Sequence, residues 1–490
     1  MNNSLHRRHF LGQMGLCASV AAFSNVSPHL LSAANTNEEI NVGFISCGGR
    51  SLGLMGQFAK VPGVNIGAVC DVDKERVAHV KEKLYPKAKT YFDLRELIAD
   101  TEIDAIVVAT GNHWHCLAAI WAMEAGKHVY VEKPLSHSQW EGQQTVAAAR
   151  KYDRICQVGT QQRSDLMQAE IKKFLHEEKG LGEIQAARVN RYGVRRTIGK
   201  RETPLEIAKD VNYDLWLGPA LDQPLFRTRL HYDWHWDWNT GSGEMGNWGV
   251  HVLDDVRNNI FQDKVALPKR ILGGGGRVLW DDAGQTPNVH FVYFDTGSIP
   301  VVIGLSNLPA EEGGRKSPEV PGPNSGYLAH CEGGTFHGQR NKATAYDNDG
   351  NVIREFKGNS SVVHQANFIE AIRKGDASIL NADVEVGNLS TGWCNLANIA
   401  FRTGETYSRD RANEIDVPAW KTLLGSTDEH LAAHGLALDN EKILLSPMLT
   451  LDEEGQFTGD KSETANKLLK REYRKGYEVP ELALAPAGQH

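Results

Sequence analysis

Ile40-Asn41-Val42-Gly43-Phe44-Ile45-Ser46-Cys47-Gly48-Gly49-Arg50-Ser51 decides the fold. A short apolar run meets a glycine-containing turn, and an amphipathic segment of helix length, Leu52–Lys60, follows. The alternation then repeats as far as Thr160. Apolar runs at Val64–Asp71, Ala105–Thr110, His128–Glu132 and Ile155–Gly159 are separated by Lys74–Leu84, Leu94–Ala99, Leu117–Ala125 and Gln139–Tyr152. Continuous apolar strands with helices between them mean a parallel sheet covered on both faces. The expected class is α/β, with a doubly wound, Rossmann-type domain over residues 38–162.

Past about residue 165 the texture changes. Helical pieces (Asp165–Glu178, Trp248–Phe261, His364–Arg373, Leu389–Arg402) mix with strand-like Ile184–Arg191, Val289–Phe294 and Ile299–Leu305. Consecutive strands without intervening helices predict an α+β domain with a mainly antiparallel open sheet, residues 163–417. Glu311–Asn324, rich in Gly, Pro and charge, reads as a surface loop. Residues 418–490 read as a C-terminal extension.

The 490 residues carry a net charge of -8, which argues against a nucleic-acid partner. After residue 35 no stretch reaches the roughly 18 apolar residues of a membrane span. Seven cysteines without a C-x-x-C pair predict neither a disulfide framework nor a cysteine metal site. Arg7-Arg8-His9-Phe10-Leu11, a short apolar stretch and Leu31-Ser32-Ala33-Ala34 have the layout of a twin-arginine signal peptide over residues 1–34. The mature protein is therefore expected in the periplasm or otherwise exported.

The first turn follows the dinucleotide fingerprint only in part. Ser46 and Ser51 occupy the outer glycine positions, and the central Gly48 remains. Asp71 closes the second strand, where a carboxylate accepts hydrogen bonds from the adenosine ribose hydroxyls and repels a 2′-phosphate. NAD is thus the expected cofactor; nearby Arg76 keeps NADP as the lesser option. Ala109-Thr110-Gly111-Asn112-His113-Trp114-His115 and Glu132-Lys133-Pro134 lie at the carboxyl edge of the sheet, where ligands bind in open α/β folds. The expected cofactor contacts are Gly48, Gly49, Arg50, Ser51, Asp71, Thr110, Asn112, His115, Glu132, Lys133 and Gln161.

Glu132-Lys133-Pro134 resembles the hallmark of the family of glucose–fructose oxidoreductase, inositol dehydrogenase and MocA (Gfo/Idh/MocA). The resemblance runs through the mature chain and includes Tyr213-Asp214-Leu215-Trp216-Leu217-Gly218-Pro219. It implies that Lys133 lies between the nicotinamide ring and a substrate hydroxyl and moves the hydroxyl proton, which requires a lowered lysine pKa. Gly241–Asp255 is similar to the family's second motif, where an aspartate and a histidine four residues later meet the substrate. Here Asn247 stands at the aspartate position, followed by His251. An asparagine orients a hydroxyl but accepts no proton at neutral pH, so the acid–base work falls on Lys133 and His251. Asp254 or Asp255 is expected to fix the tautomer of His251.

Catalytic roles are thus expected for Lys133, His251 and Asn247, and substrate contacts for Arg163, Tyr192, Trp236, Asn247 and His251. His231–Trp238, if extended, would turn its aromatics one way and His231, Asp233, His235 and Asp237 the other. No metal is expected there, because the resemblance implies none. Arg188, Arg191, Arg195, Arg196, Lys200 and Arg201 form a basic run that reads either as a solvated face or as a reader of an acidic or sulfated sugar. The expectation is an exported, homo-oligomeric NAD-dependent oxidoreductase of a secondary hydroxyl on a sugar or glycoside. The alternatives are an NAD-dependent glycoside hydrolase working by transient oxidation, and a non-catalytic sugar sensor on the same fold.

Overall fold

The computed structural model describes residues 39–359 and 362–483, and the twin-arginine segment lies outside them. Six strands build the first sheet: β1 (Ile40–Ile45), β2 (Val64–Cys70), β3 (Lys89–Tyr91), β4 (Ala105–Val108), β5 (His128–Val131) and β6 (Cys156–Val158). Helices α1 (Gly49–Phe58), α2 (Lys74–Lys83), α3 (Leu94–Ala99), α4 (Asn112–Glu124) and α5 (Gln139–Lys151) alternate with them. All pairings are parallel, in the order β3-β2-β1-β4-β5-β6. The order reverses between β1 and β4, which opens a crevice at their carboxyl ends. Val42, Phe44, Ala105, Ile106, Val107 and Val108 are fully buried, as strands covered on both faces require. The short, exposed β3 carries no apolar run, so the sequence pattern misses it.

The second domain is built on one twelve-stranded sheet. Helix α6 (Met167–Lys172) leads to β7 (Ile184–Tyr192), then the short α7 (Tyr213–Leu217) and α8 (Val250–Asn259). There follow β8 (Arg270–Gly276), β9 (Val289–Asp295), β10 (Val301–Ser306), β11 (Ser325–Cys331), β12 (Gly334–Gln339), β13 (Lys342–Tyr346) and β14 (Val352–Lys357). The main strand order is β14-β13-β12-β11-β7-β10-β9-β8, and the β7–β10 pair is parallel while its neighbours are antiparallel. Helices α9 (Val363–Lys374) and α10 (Val384–Arg402) come next. Helix α8 and α10 pack on one face, burying Val256, Trp393 and Leu396 against Ile271, Phe294 and Ile303.

The chain's later segments do not respect the expected boundaries. Helix α9 returns to the first sheet, where Phe368 packs edge-on against Phe58 and Tyr130. Residues 418–483 are an integral part of the fold and not an appendage. After β15 (Glu405–Thr406) and α11 (Arg409–Asn413), helix α12 (Pro418–Ala432) buries Trp420 and Leu423 on the second face of the large sheet. Strands β16 (Leu444–Leu445) and β17 (Leu449–Leu451) pair with β8, and β18 (Phe457–Thr458) precedes α13 (Ser462–Lys467). The last described segment packs Tyr477 and Val479 on the first domain. These are tertiary contacts that no local pattern reports.

Candidate active site

A cleft of about 540 Å³ runs along the carboxyl edge of the first sheet. At one end are Asp71 and Arg76; at the other are Lys133 and Asn247, with Tyr232, Trp234 and His235 among its walls. The turn after β1 explains how a degenerate fingerprint still works. Ser46 takes a positive φ of 96°, the region a glycine would enter freely, and its hydroxyl accepts the Gly48 N–H at 3.1 Å. Helix α1 then starts from Gly48 without a side-chain cap, so its first N–H groups stay open to a pyrophosphate. Asp71 holds the turn in shape by accepting the backbone N–H of Cys47 at 2.7 Å and of Asp73 at 3.0 Å.

The hallmark residues follow β5. Glu132, buried, takes a salt bridge from Arg50 at 2.6 Å. Burial opposes its charge, but Arg50 and Lys133 outweigh it and hold the carboxyl below its usual range. Lys133 reaches across to the second domain, where its Nζ donates to the Asn247 carbonyl at 2.5 Å and stands 3.4 Å from Asn247 Oδ1. Burial, opposed by Glu132 and Glu244 and assisted by Arg50 and Arg340, pushes the Lys133 ammonium down to about 8. That places a neutral amine within reach near physiological pH.

Glu244 is the residue the sequence reading passed over. Its fully buried carboxylate accepts Arg191 Nε at 2.8 Å, Arg195 Nη2 at 3.0 Å and Asn247 Nδ2 at 3.1 Å. The last bond settles which way the Asn247 amide points, because its nitrogen is committed to Glu244 and its oxygen is left facing Lys133. Arg191 and Arg195 therefore belong to a buried cluster and not to a solvated face. The signal was present, since Glu244 sits in the glycine-rich motif three residues before Asn247.

Several expectations are corrected by the packing. Gly48, Gly49, Arg50, Asp71, Thr110, Asn112, His115, Glu132, Lys133 and Asn247 all line the cleft. Ser51 does not; it lies in the first turn of α1 with its side chain fully buried. Gln161 also lies off the cleft wall, at the start of the 3-10 turn Gln161–Ser164. Arg163 is consumed by Asp254 at 2.8 Å and Asp263 at 2.7 Å, with a side chain only 3% exposed. Tyr192 is buried, its ring towards His430 of α12, on the face of the sheet away from the cleft. Trp236 is buried beneath the Arg195 guanidinium and does not line the cleft.

Residues 233–236 form a 3-10 turn, so the expected extended alternation fails. Asp233, bound to Arg229 at 2.7 Å, and Trp236 turn inward, while Tyr232, Trp234 and His235 face the cleft together. Asn247 lies in the π turn Met245–Gly249 and His251 in the first turn of α8, so irregular helix joins the two. His251 lies just behind the cleft wall, its Nδ1 buried without a partner. Burial and the charges of Lys133, Arg340, Arg50 and Arg191 hold it well below the usual imidazole range, so it is neutral. Neither aspartate fixes its tautomer: Asp254 binds Arg163 and Ser390, and Asp255 binds Gln162.

The two domains are pinned at the cleft. The ring nitrogens of His113 face the carbonyls of Thr240 at 3.2 Å and Trp216 at 3.0 Å, and Ser242 donates to Asn112 at 3.0 Å. His115 faces the Pro134 carbonyl at 2.7 Å and that of Thr110 at 3.3 Å, tying the two edge loops together. Among the described residues no cluster of His, Cys, Asp and Glu is arranged to hold a metal, and no helix is long and apolar enough to cross a membrane.

The Gfo/Idh/MocA model, described as an oxidoreductase family with an NAD-binding Rossmann fold, matches residues 40–160, and its C-terminal alpha/beta domain matches residues 193–421. The chain belongs to this family. Its first domain is thus an NAD-binding Rossmann domain, with the cleft along the carboxyl edge of its sheet. Among solved structures, the fold is similar to the putative oxidoreductase yvaA from Bacillus subtilis (TM-score 0.55, 20% identity, 74% of this chain and 97% of that one). It is also similar to the WlbA dehydrogenase from Bordetella pertussis in complex with NADH and UDP-GlcNAcA (TM-score 0.54, 17% identity, 74% and 97%). In sequence, an alpha-N-acetylgalactosaminidase from Shewanella oneidensis is 32% identical over 178 residues, 31% of this chain. The matched stretch spans 39% of that relative's length.

Proposed function

We propose that this oxidoreductase acts on a secondary hydroxyl of a sugar or glycoside, with NAD held in the cleft. The observation that carries the reading is the desolvated Lys133 amine, fixed by Asn247 at the end of a nucleotide-sized cleft. The residues present suit NAD: an uncapped helix start for the pyrophosphate, Asp71 for the ribose and open space over Gly49. Bound there, NAD supplies the hydride acceptor that turns a hydroxyl-bearing carbon into a carbonyl. The chain's own part is the proton. Neutral Lys133 accepts it from the hydroxyl, Asn247 accepts the amine's own N–H groups through its carbonyl and Oδ1 and so aims the nitrogen lone pair, and Glu244 keeps the amide from rotating. Tyr232, Trp234 and His235 offer aromatic surface to a sugar ring and exclude water from the amine.

The Arg7-Arg8 segment supports export by the twin-arginine route, and a protein exported folded can carry its cofactor out with it. NAD is then a resident group recycled in place. Mass spectrometry of nucleotide released from protein purified without added cofactor tests this; protein that holds none and turns over only with added NAD rejects residency. A second reading, transient oxidation followed by elimination of the glycosidic group, is favoured by the relatives named glycosyl hydrolase family 109. Glycosides incubated with loaded protein separate the two: a keto-sugar with the glycosidic bond intact supports oxidation, and a released aglycone without net NADH supports cleavage.

A further inference from the structure

The charges around Lys133 do not balance. Five cationic groups, Arg50, Lys133, Arg191, Arg195 and Arg340, face two carboxylates, Glu132 and Glu244. Arg50 is spent on Glu132, and Arg191 and Arg195 share Glu244. Asp255 is the leading carboxylate acting on Arg340, while burial and neighbouring Asp254 push its own carboxyl well above the usual range. Arg340 has no carboxylate partner in an ion pair among the described residues.

Its placement is nonetheless built. Arg340 sits at the tip of the β12–β13 hairpin, which carries it to the active-site end of the molecule. Its Nε donates to Gln162 Oε1 at 3.1 Å, and Gln162 is anchored in turn on Asp255. The guanidinium stands 5.1 Å from the centre of the Trp248 ring, and Arg191 stands 4.3 Å from the same ring. Trp248 is the residue after Asn247 and touches His251, so this stack lies next to the Asn247 end of the cleft, off its wall. With Nε committed, the two Nη groups are left as a planar fork. A fork of that kind matches two oxygens of one anion.

We propose that the sugar substrate carries an oxyanion, a carboxylate or a sulfate ester, and that Arg340 is the residue that binds it. This rests on the sugar-oxidoreductase reading. Arg340 is exposed, so the cation excess attracts such a group over an uncharged sugar but adds no burial penalty when the fork stays unpaired. Trp248 holds the guanidinium plane while Gln162 sets its rotation, so a point charge alone would not replace it.

The test uses the full-length protein loaded with NAD. Methyl glucuronide and methyl galacturonide, the matching sulfated methyl hexosides, and neutral methyl glucoside and galactoside are compared by NADH fluorescence and by methanol release. An acidic member is expected to exceed its neutral counterpart by at least roughly 10-fold in kcat/KM, with a KM that rises with salt. Arg340→Gln should shrink that preference by roughly 10- to 100-fold, and Arg340→Lys should restore only part of it. A melting curve checks that each variant is folded. Equal use of neutral and acidic glycosides, or a preference that survives Arg340→Gln, overturns the inference while leaving the oxidoreductase reading intact. No reaction with any glycoside overturns both. Whether carboxylates or sulfates react identifies the oxyanion.

Discussion

At Lys133 the surroundings set the working pH. Burial is the largest influence and favours the neutral amine; Arg50 and Arg340 add to it, while Glu132 and Glu244 resist. In the proposed reaction the neutral form accepts the proton, so kcat/KM for oxidation should rise with pH and level off above an apparent pKa near 8. Lys133→Ala should cost about 10² to 10⁴ in kcat/KM and abolish that rise, while released-nucleotide analysis still finds the cofactor. Glu244→Gln is expected to act on the same profile from a distance. Removing a negative charge moves the rise to lower pH, the opposite of a simple loss of folded protein. It also strands two buried guanidinium groups, a penalty of about 3–5 kcal/mol that a denaturant titration should detect.

At the level of elements, the turn from β1 into α1 holds a serine where glycine would be relaxed. Ser46→Gly should remove left-handed strain of about 1–2 kcal/mol, offset in part by loss of the hydroxyl's bond to Gly48. The expected result is an unchanged or higher Tm with nucleotide binding retained; a variant that loses nucleotide would show that the hydroxyl itself matters. Helix α12 contributes through Trp420, fully buried against Phe291 and Tyr293. Trp420→Ala should destabilise by about 3–5 kcal/mol in urea unfolding, as for a large cavity in a packed core. A true appendage would instead tolerate the change.

On the scale of the whole molecule, the chain laces its two sheets together. Helix α9 covers the first sheet, α10 lies against both domains through Leu135–Thr391 and Ser136–Asn395 bonds, and the final segment returns to α4. Tyr477 packs edge-on at 5.6 Å against Trp114, which itself lines the cleft, and Arg474 pairs with Asp214 at 2.9 Å. The C-terminal segment thus buttresses the cleft from behind. Tyr477→Ala should leave less NAD on the protein after gel filtration and lower the Tm together; a Tm drop with full nucleotide retention would show that the buttress serves stability alone.

Local physics made much of this readable in the chain. Apolar runs alternating with amphipathic ones specify strands buried between helices, and Ile40–Thr160 did so without help from distant residues. Asp71 and Glu132-Lys133-Pro134 can be placed at strand ends from neighbouring residues alone, while the role expected of Lys133 comes from the family resemblance. Arg163, Tyr192 and Trp236 were misplaced because a side chain's direction depends on partners such as Asp254, His430 and Arg195. Only the tertiary structure brings Lys133 to Asn247 across 114 residues, sets Glu244 behind the amide and delivers Arg340 on a hairpin tip. Those contacts depend on sheet register and domain docking, which sum many weak, long-range terms that no short stretch of sequence contains.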